Sequence, residues 1–209
     1  MKILLVEDNP EFKKAAEEFF KTRNIEVDYV SDYKQAMQLL KINTYGGIIT
    51  DCFFPAETGS EDRKLGYQVL EDLTKDTKIS KDTPVSKAMI KVLDTLGAEG
   101  ETRKKVGELL AKNAHLPNFF SAIGYKEAMR MAIQESASNQ PLGVLIAEEA
   151  RSRGLPFVIA TSTYHHDHLT QVISTKYGRH LVDCDKDKPG QKASPTFWEK
   201  AYTTLEKLV

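Results

Sequence analysis

Three short apolar runs, separated by two helical patterns, open this chain and set most of what it can fold into. Lys2 to Val6 (KILLV) reads as a strand buried on both faces, and it stops at Glu7-Asp8-Asn9-Pro10. Asn9 can cap a helix and Pro10 suits its first turn. Phe12, Ala15, Ala16, Phe19 and Phe20 recur at helical spacing, which predicts a helix running to Lys21 or Thr22. Ile25 to Val30 alternates as a second strand. Ser31 or Asp32 caps a second helix with Ala36, Met37, Leu39 and Leu40 on its apolar face. Tyr45-Gly46-Gly47 then turns into a third strand, Ile48-Ile49-Thr50, which ends at Asp51. The order βαβαβ predicts an α/β fold built on a doubly wound parallel sheet with right-handed crossovers.

Open sheets of this kind place their chemistry at the carboxyl ends of the strands. Strand one ends in Glu7-Asp8 and strand three in Asp51, so neighbouring strands would bring three carboxylates to one edge. Like charges at that separation are costly unless a cation neutralises them. Carboxylates with a backbone carbonyl are oxygen ligands, which suit Mg²⁺. Glu7 and Asp8 also have a plainer reading, as acids decorating a helix N-terminus, where negative charge is favourable.

LLVEDN at Leu4 to Asn9, an aspartate closing the third strand, and Pro55 four residues after it together resemble the receiver domain of two-component response regulators. The resemblance implies a five-stranded, flavodoxin-like sheet in the order 2-1-3-4-5. It implies that Glu7 and Asp8 hold Mg²⁺ with Asp51 and the Phe53 carbonyl, and that Asp51 accepts a phosphoryl group. The donor would be a histidine kinase or phosphotransfer protein. Leu155 to Thr161 enters a fourth strand ending in a hydroxyl residue, with Ser162 and Thr163 as near substitutes for Thr161. Arg179 to Cys184 reads as strand five, and Ser194 caps a last helix carrying Phe197, Trp198, Tyr202, Leu205 and Leu208. The lysine that the family places after strand five falls on Lys188, through the Lys188-Pro189 dipeptide, or on Lys186. The family's aromatic switch position falls on His180.

Between Asp51 and Thr161 lies much more chain than a receiver needs. The reading is one receiver-like domain over 1–209, with its core in 1–55 and 140–209 and a helical insertion over about 56–139. Leu65–Leu73, Val85–Leu96, Glu101–Ala114 and Tyr125–Ile133 carry helical periodicity, and Pro141–Arg153 leads into strand four as the family's third helix. Ala56–Lys64 is polar enough for a lid near Asp51. Tyr164-His165-His166-Asp167-His168 invites a transition-metal reading, a polar cap, or a role beside the acceptor. Only His165 and His168 would share a helical face.

A net charge of −1 gives no electrostatic argument for nucleic acid or an anionic membrane surface. No apolar run nears the roughly 20 residues that span a bilayer, so a cytoplasmic location is expected. Cys52 and Cys184 follow no metal spacing and read as small buried hydrophobes. The functional expectation is a stand-alone receiver, not an enzyme, that switches on phosphorylation of Asp51. Its insertion would offer a surface to a downstream protein. One rival is a phosphorylation-independent pseudo-receiver. The other is a Mg²⁺-dependent phosphatase, opposed by Phe53 where such hydrolases want a second aspartate.

Overall fold

A computed structural model describes residues 1–75, 117–164, 169–186 and 188–209. Its centre is a five-stranded, all-parallel sheet: β1 (Ile3–Val6), β2 (Val27–Val30), β3 (Gly47–Thr50), β4 (Phe157–Thr161) and β5 (Leu181–Asp183), in the order β2-β1-β3-β4-β5. With helices on both faces this is the flavodoxin-like arrangement. β1, β3 and β4 are buried at every position, as strands covered on both faces must be. Val6 pairs with Thr50, so the ends of β1 and β3 lie level at one edge, and β4 runs two residues beyond the Ile159 that faces Thr50.

The described helices are α1 (Pro10–Thr22), α2 (Tyr33–Ile42), α3 (Lys64–Lys75), α4 (Pro117–Glu135), α5 (Gly143–Ser152), α6 (Gln171–Tyr177) and α7 (Pro195–Glu206). Asn9 caps α1 by accepting from the Glu11 and Phe12 amides, and Asp32 rather than Ser31 caps α2 through the Gln35 amide. Ser194 caps α7 at the Phe197 amide. α1 and α7 cover one face, where Phe19, Phe20, Trp198 and Leu205 pack on Ile3, Leu5, Ile49 and Val158. The opposite face packs α2 and α5 with α3, α4 and α6 in one cluster. There Val69, Leu70, Tyr125, Met129 and Ile133 join Leu4, Ile48 and Ile159. The described parts of the segment between β3 and β4 therefore share the core of the sheet. Among the described residues no helix is long and apolar enough to cross a membrane.

Some expectations shift locally. β5 is shorter than Arg179–Cys184: Arg179 and His180 lie in a 3-10 turn, Gly178–His180, that precedes it. The segments beginning at Pro117 and at Tyr125 are one continuous helix. Val85–Leu96, Glu101–Ala114 and His165–His168 lie outside the described residues.

The polar stretch after Pro55 is fastened at both ends. Buried Asp32 accepts from the Thr58 amide (3.0 Å) and hydroxyl (2.7 Å), and the Lys34 amide donates to the Ala56 carbonyl. At the far end Arg63 Nε donates to the Ile133 carbonyl at 2.9 Å. Burial on its own would raise the Asp32 pKa, but donors from Gln35 and Thr58 outweigh it and hold the carboxyl below its ordinary 3.8. A depressed carboxyl contributes stability that is complete above the unfolded value and fades as pH falls through the folded one. Asp32→Ala should cost about 1–3 kcal/mol in urea melts at neutral pH. That difference should shrink below pH 3.8.

Candidate functional site

The level ends of β1 and β3 bring Glu7, Asp8 and Asp51 together. One carboxylate oxygen from each lies within 4.8 Å of the others, a spacing that a single metal ion can bridge. Glu7 is fully buried and Asp51 is 9% exposed, whereas Asp8 is half-buried at the mouth. Each is fixed by its strand end. The Asp51 amide donates to the Val6 carbonyl, the Glu7 amide to the Val30 carbonyl, and Glu7 Oε1 accepts from the Asn9 amide.

The fourth member is Lys192. Its Nζ lies 2.6 Å from Glu7 Oε2 and 2.9 Å from Asp51 Oδ1, with no side-chain exposure. Phe12 and Trp198 flank the ammonium, their ring centroids 5.4 and 5.9 Å away. These contacts are close ion pairs whose angles fall short of good hydrogen bonds. Asp51 Oδ1 also accepts from the Cys52 amide at 2.6 Å. Among the described residues no hydrogen bond to Asp51 Oδ2 is found, in contrast to Oδ1.

Three carboxylates against one ammonium leave the pocket short of positive charge. Burial first, then the Asp51 charge against the opposing pull of Lys192, raises Glu7 to about 8 from its ordinary 4.5. Burial and Asp51 likewise raise Asp8 to about 6, while the Ser138 hydroxyl opposes them by favouring the charged form. Burial alone would lower the Lys192 pKa; Asp51 and Glu7 outweigh it, and the ammonium stays charged. The cluster thus sheds charge by retaining protons, and a divalent cation would take their place.

Neither Lys188 nor Lys186 occupies this position. Lys188 is exposed and sits 3.7 Å from Asp185, and Lys186 is exposed as well. Lys188 is the cap of a 3-10 turn, Pro189–Ala193, and Lys192 is carried inward by that turn. Gln191 closes the loop by accepting from the Asp185 amide and donating to its carboxylate, at 2.6 and 2.7 Å. The Lys188-Pro189 dipeptide marks the turn's cap, and the inward side chain is Lys192, four residues further on. The one available signal was proximity to the Ser194-Pro195 cap, which anchors the turn's end.

Thr161 is fully buried at the end of β4, two residues beyond the Ile159 that faces Thr50, and its hydroxyl accepts from the Thr163 amide at 3.2 Å. Phe53 is half-buried against the core. His180 stacks on Phe157, at the opposite end of β4 from Thr161, with ring centroids 4.3 Å apart. Cys52 and Cys184 are buried free thiols. Searches of protein families, curated proteins and solved structures return no match to this chain.

Removing Lys192 would leave Glu7 and Asp51 buried without their cation. Lys192→Met should cost about 3–5 kcal/mol in metal-free urea melts near pH 8. A carboxyl with a raised folded pKa contributes fully below its unfolded value and loses that contribution as pH rises through the folded one. The deficit of Lys192→Met should therefore be smaller at pH 5 than at pH 8, and added Mg²⁺ should recover part of it.

Proposed function

We propose that this chain is a receiver-type phosphoacceptor that resembles response regulators of two-component signalling, with Asp51 as the nucleophile. The observation that carries this reading is the placement of Asp51 beside Glu7 and Asp8 and against a buried lysine at one sheet edge. Phosphoryl transfer asks little covalent work of a protein beyond in-line positioning and neutralised oxygens. Asp51 Oδ2 would attack phosphorus while the donor's bond to phosphorus breaks, the leaving nitrogen or oxygen keeping the electron pair. The Lys192 ammonium would stand beside the equatorial oxygens.

Glu7, Asp8 and Asp51, with the Phe53 carbonyl, would hold Mg²⁺; when bound, it supplies positive charge to the transferring group. The donor set is all oxygen, which favours that ion over softer metals. Thr161, on the neighbouring strand, would donate its hydroxyl to a phosphoryl oxygen. A histidine kinase or phosphotransfer protein is the donor this chemistry calls for. The helices between β3 and β4 would present a face to a downstream protein.

Incubation with Mg²⁺ and acetyl phosphate, read by intact mass, should add one phosphoryl group to the wild type and none to Asp51→Asn. Beryllofluoride should bind with the same dependence. If neither Mg²⁺ nor beryllofluoride binds, the chain is a phosphorylation-independent interaction module. Fast turnover of small phosphate esters would instead make it a hydrolase.

A further inference from the structure

The strand ladder that holds β3 ends just short of the Asp51 side chain's own support. The Asp51 amide still donates to the Val6 carbonyl, but the peptide joining Asp51 to Cys52 lies past the last paired residue, Thr50. Its orientation matters, because its N–H donates to Asp51 Oδ1 at 2.6 Å and so helps to set the rotation of the carboxylate. The same oxygen meets Lys192 Nζ at 2.9 Å. Tilting this peptide would turn the carboxylate against the lysine.

Two groups hold the peptide from its carbonyl end. The buried Thr50 hydroxyl donates to the Asp51 carbonyl at 2.9 Å. Gly143, the first residue of α5, lies against the same carbonyl. A Cβ there would stand 2.1 Å from the Asp51 carbonyl oxygen, 3.1 Å from its carbon and 3.0 Å from Cys52 Cα, so only glycine permits this approach. The Gly143 amide also donates to the Cys52 carbonyl at 3.1 Å. Nor is Gly143 free to retreat. Three residues before it, the Gln140 carbonyl accepts from the Phe54 amide at 3.2 Å. The Gln140 side chain is fully buried: its Oε1 accepts from the Gly66 amide at 2.9 Å, and its Nε2 donates to the Asp62 and Ala137 carbonyls at 3.0 and 2.9 Å. In so close-packed a setting a side chain at 143 would push on the Asp51 peptide rather than slide away from it.

We propose that Gly143 and Thr50 are positioning residues for phosphoryl acceptance: by setting the Asp51–Cys52 peptide they set the angle at which the Asp51 carboxylate meets phosphorus. The inference rests on the phosphoacceptor reading given above. Both residues act through the main chain of Asp51. In-line transfer depends on such placement, and a shift of about 1 Å costs about 100-fold in rate. A fault in angle alone lowers the saturating rate without changing how the phosphoryl donor binds.

The test follows phosphorylation of the full chain by acetyl phosphate with Mg²⁺, read by intact mass over a range of donor concentrations, with far-ultraviolet circular dichroism to check that each variant folds. Gly143→Ala should lower the saturating rate about 10–100-fold and leave the half-saturating donor concentration nearly unchanged. Thr50→Val keeps the shape of the side chain and removes only the hydroxyl, so it should lower the rate in the same manner but less. Ala150→Gly, which loosens α5 two turns further on, should react as the wild type does. If Gly143→Ala does not fold, Thr50→Val decides the matter. Wild-type rates in a folded Gly143→Ala or in Thr50→Val overturn the positioning role and leave the phosphoacceptor standing. An equal loss in Ala150→Gly also overturns it, since the effect would then be one of stability. A wild type that takes up no phosphoryl group overturns the phosphoacceptor reading and this inference with it.

Discussion

A buried ammonium facing two buried carboxylates sets the terms for the edge of this sheet. Lys192 cannot leave without stranding Glu7 and Asp51 as buried carboxylates with no paired cation. The geometry follows from that need. The Pro189–Ala193 turn exists in a form that turns Lys192 inward, Gln191 locks the loop ahead of it, and Ser194 starts α7 immediately after. Phe12 and Trp198, from the two helices of that face, keep water from the ammonium. The carboxylates still outnumber the lysine, and the raised Glu7 and Asp8 values record the remaining deficit.

That deficit is what makes the cluster one that could hold a metal ion. A cluster with balanced charge would be a structural pair; one short of positive charge has room for a cation. Asp51 is 9% exposed and accepts from the Cys52 amide, while Glu7 is fully buried and Asp8 half-buried. The three acids therefore differ in environment because burial differs, although the residue types are nearly the same.

The chain between β3 and β4 is not an appendage in its described parts. Its apolar residues share a cluster with the sheet, and its polar ones, Arg63 and Gln140, are spent on fixing main-chain groups. Ala56–Lys64 has the composition of a lid, yet Asp32 and Gln140 tie it down. Composition reports which residues water tolerates. It does not report whether a buried carboxylate waits to receive their amides.

The sequence alone determined the strands and three of the cluster's four members, its acids. Alternation of apolar runs with helical patterns is local, and strands buried on both faces leave no other reading of KILLV and GGIIT. The strand-end acids Glu7, Asp8 and Asp51 followed from that, because a residue just past a strand can only lie at its edge. Tertiary structure decided the rest. Lys186, Lys188 and Lys192 are indistinguishable as residues in a polar loop, and what separates them is a 3-10 turn closed by Gln191 that points one of them inward. Gln140 reaches Asp62 and Gly66 across a far longer stretch of chain, through contacts that no periodicity encodes. Local pattern fixes where a strand ends; which distant side chain answers a buried charge depends on how the whole chain closes around it.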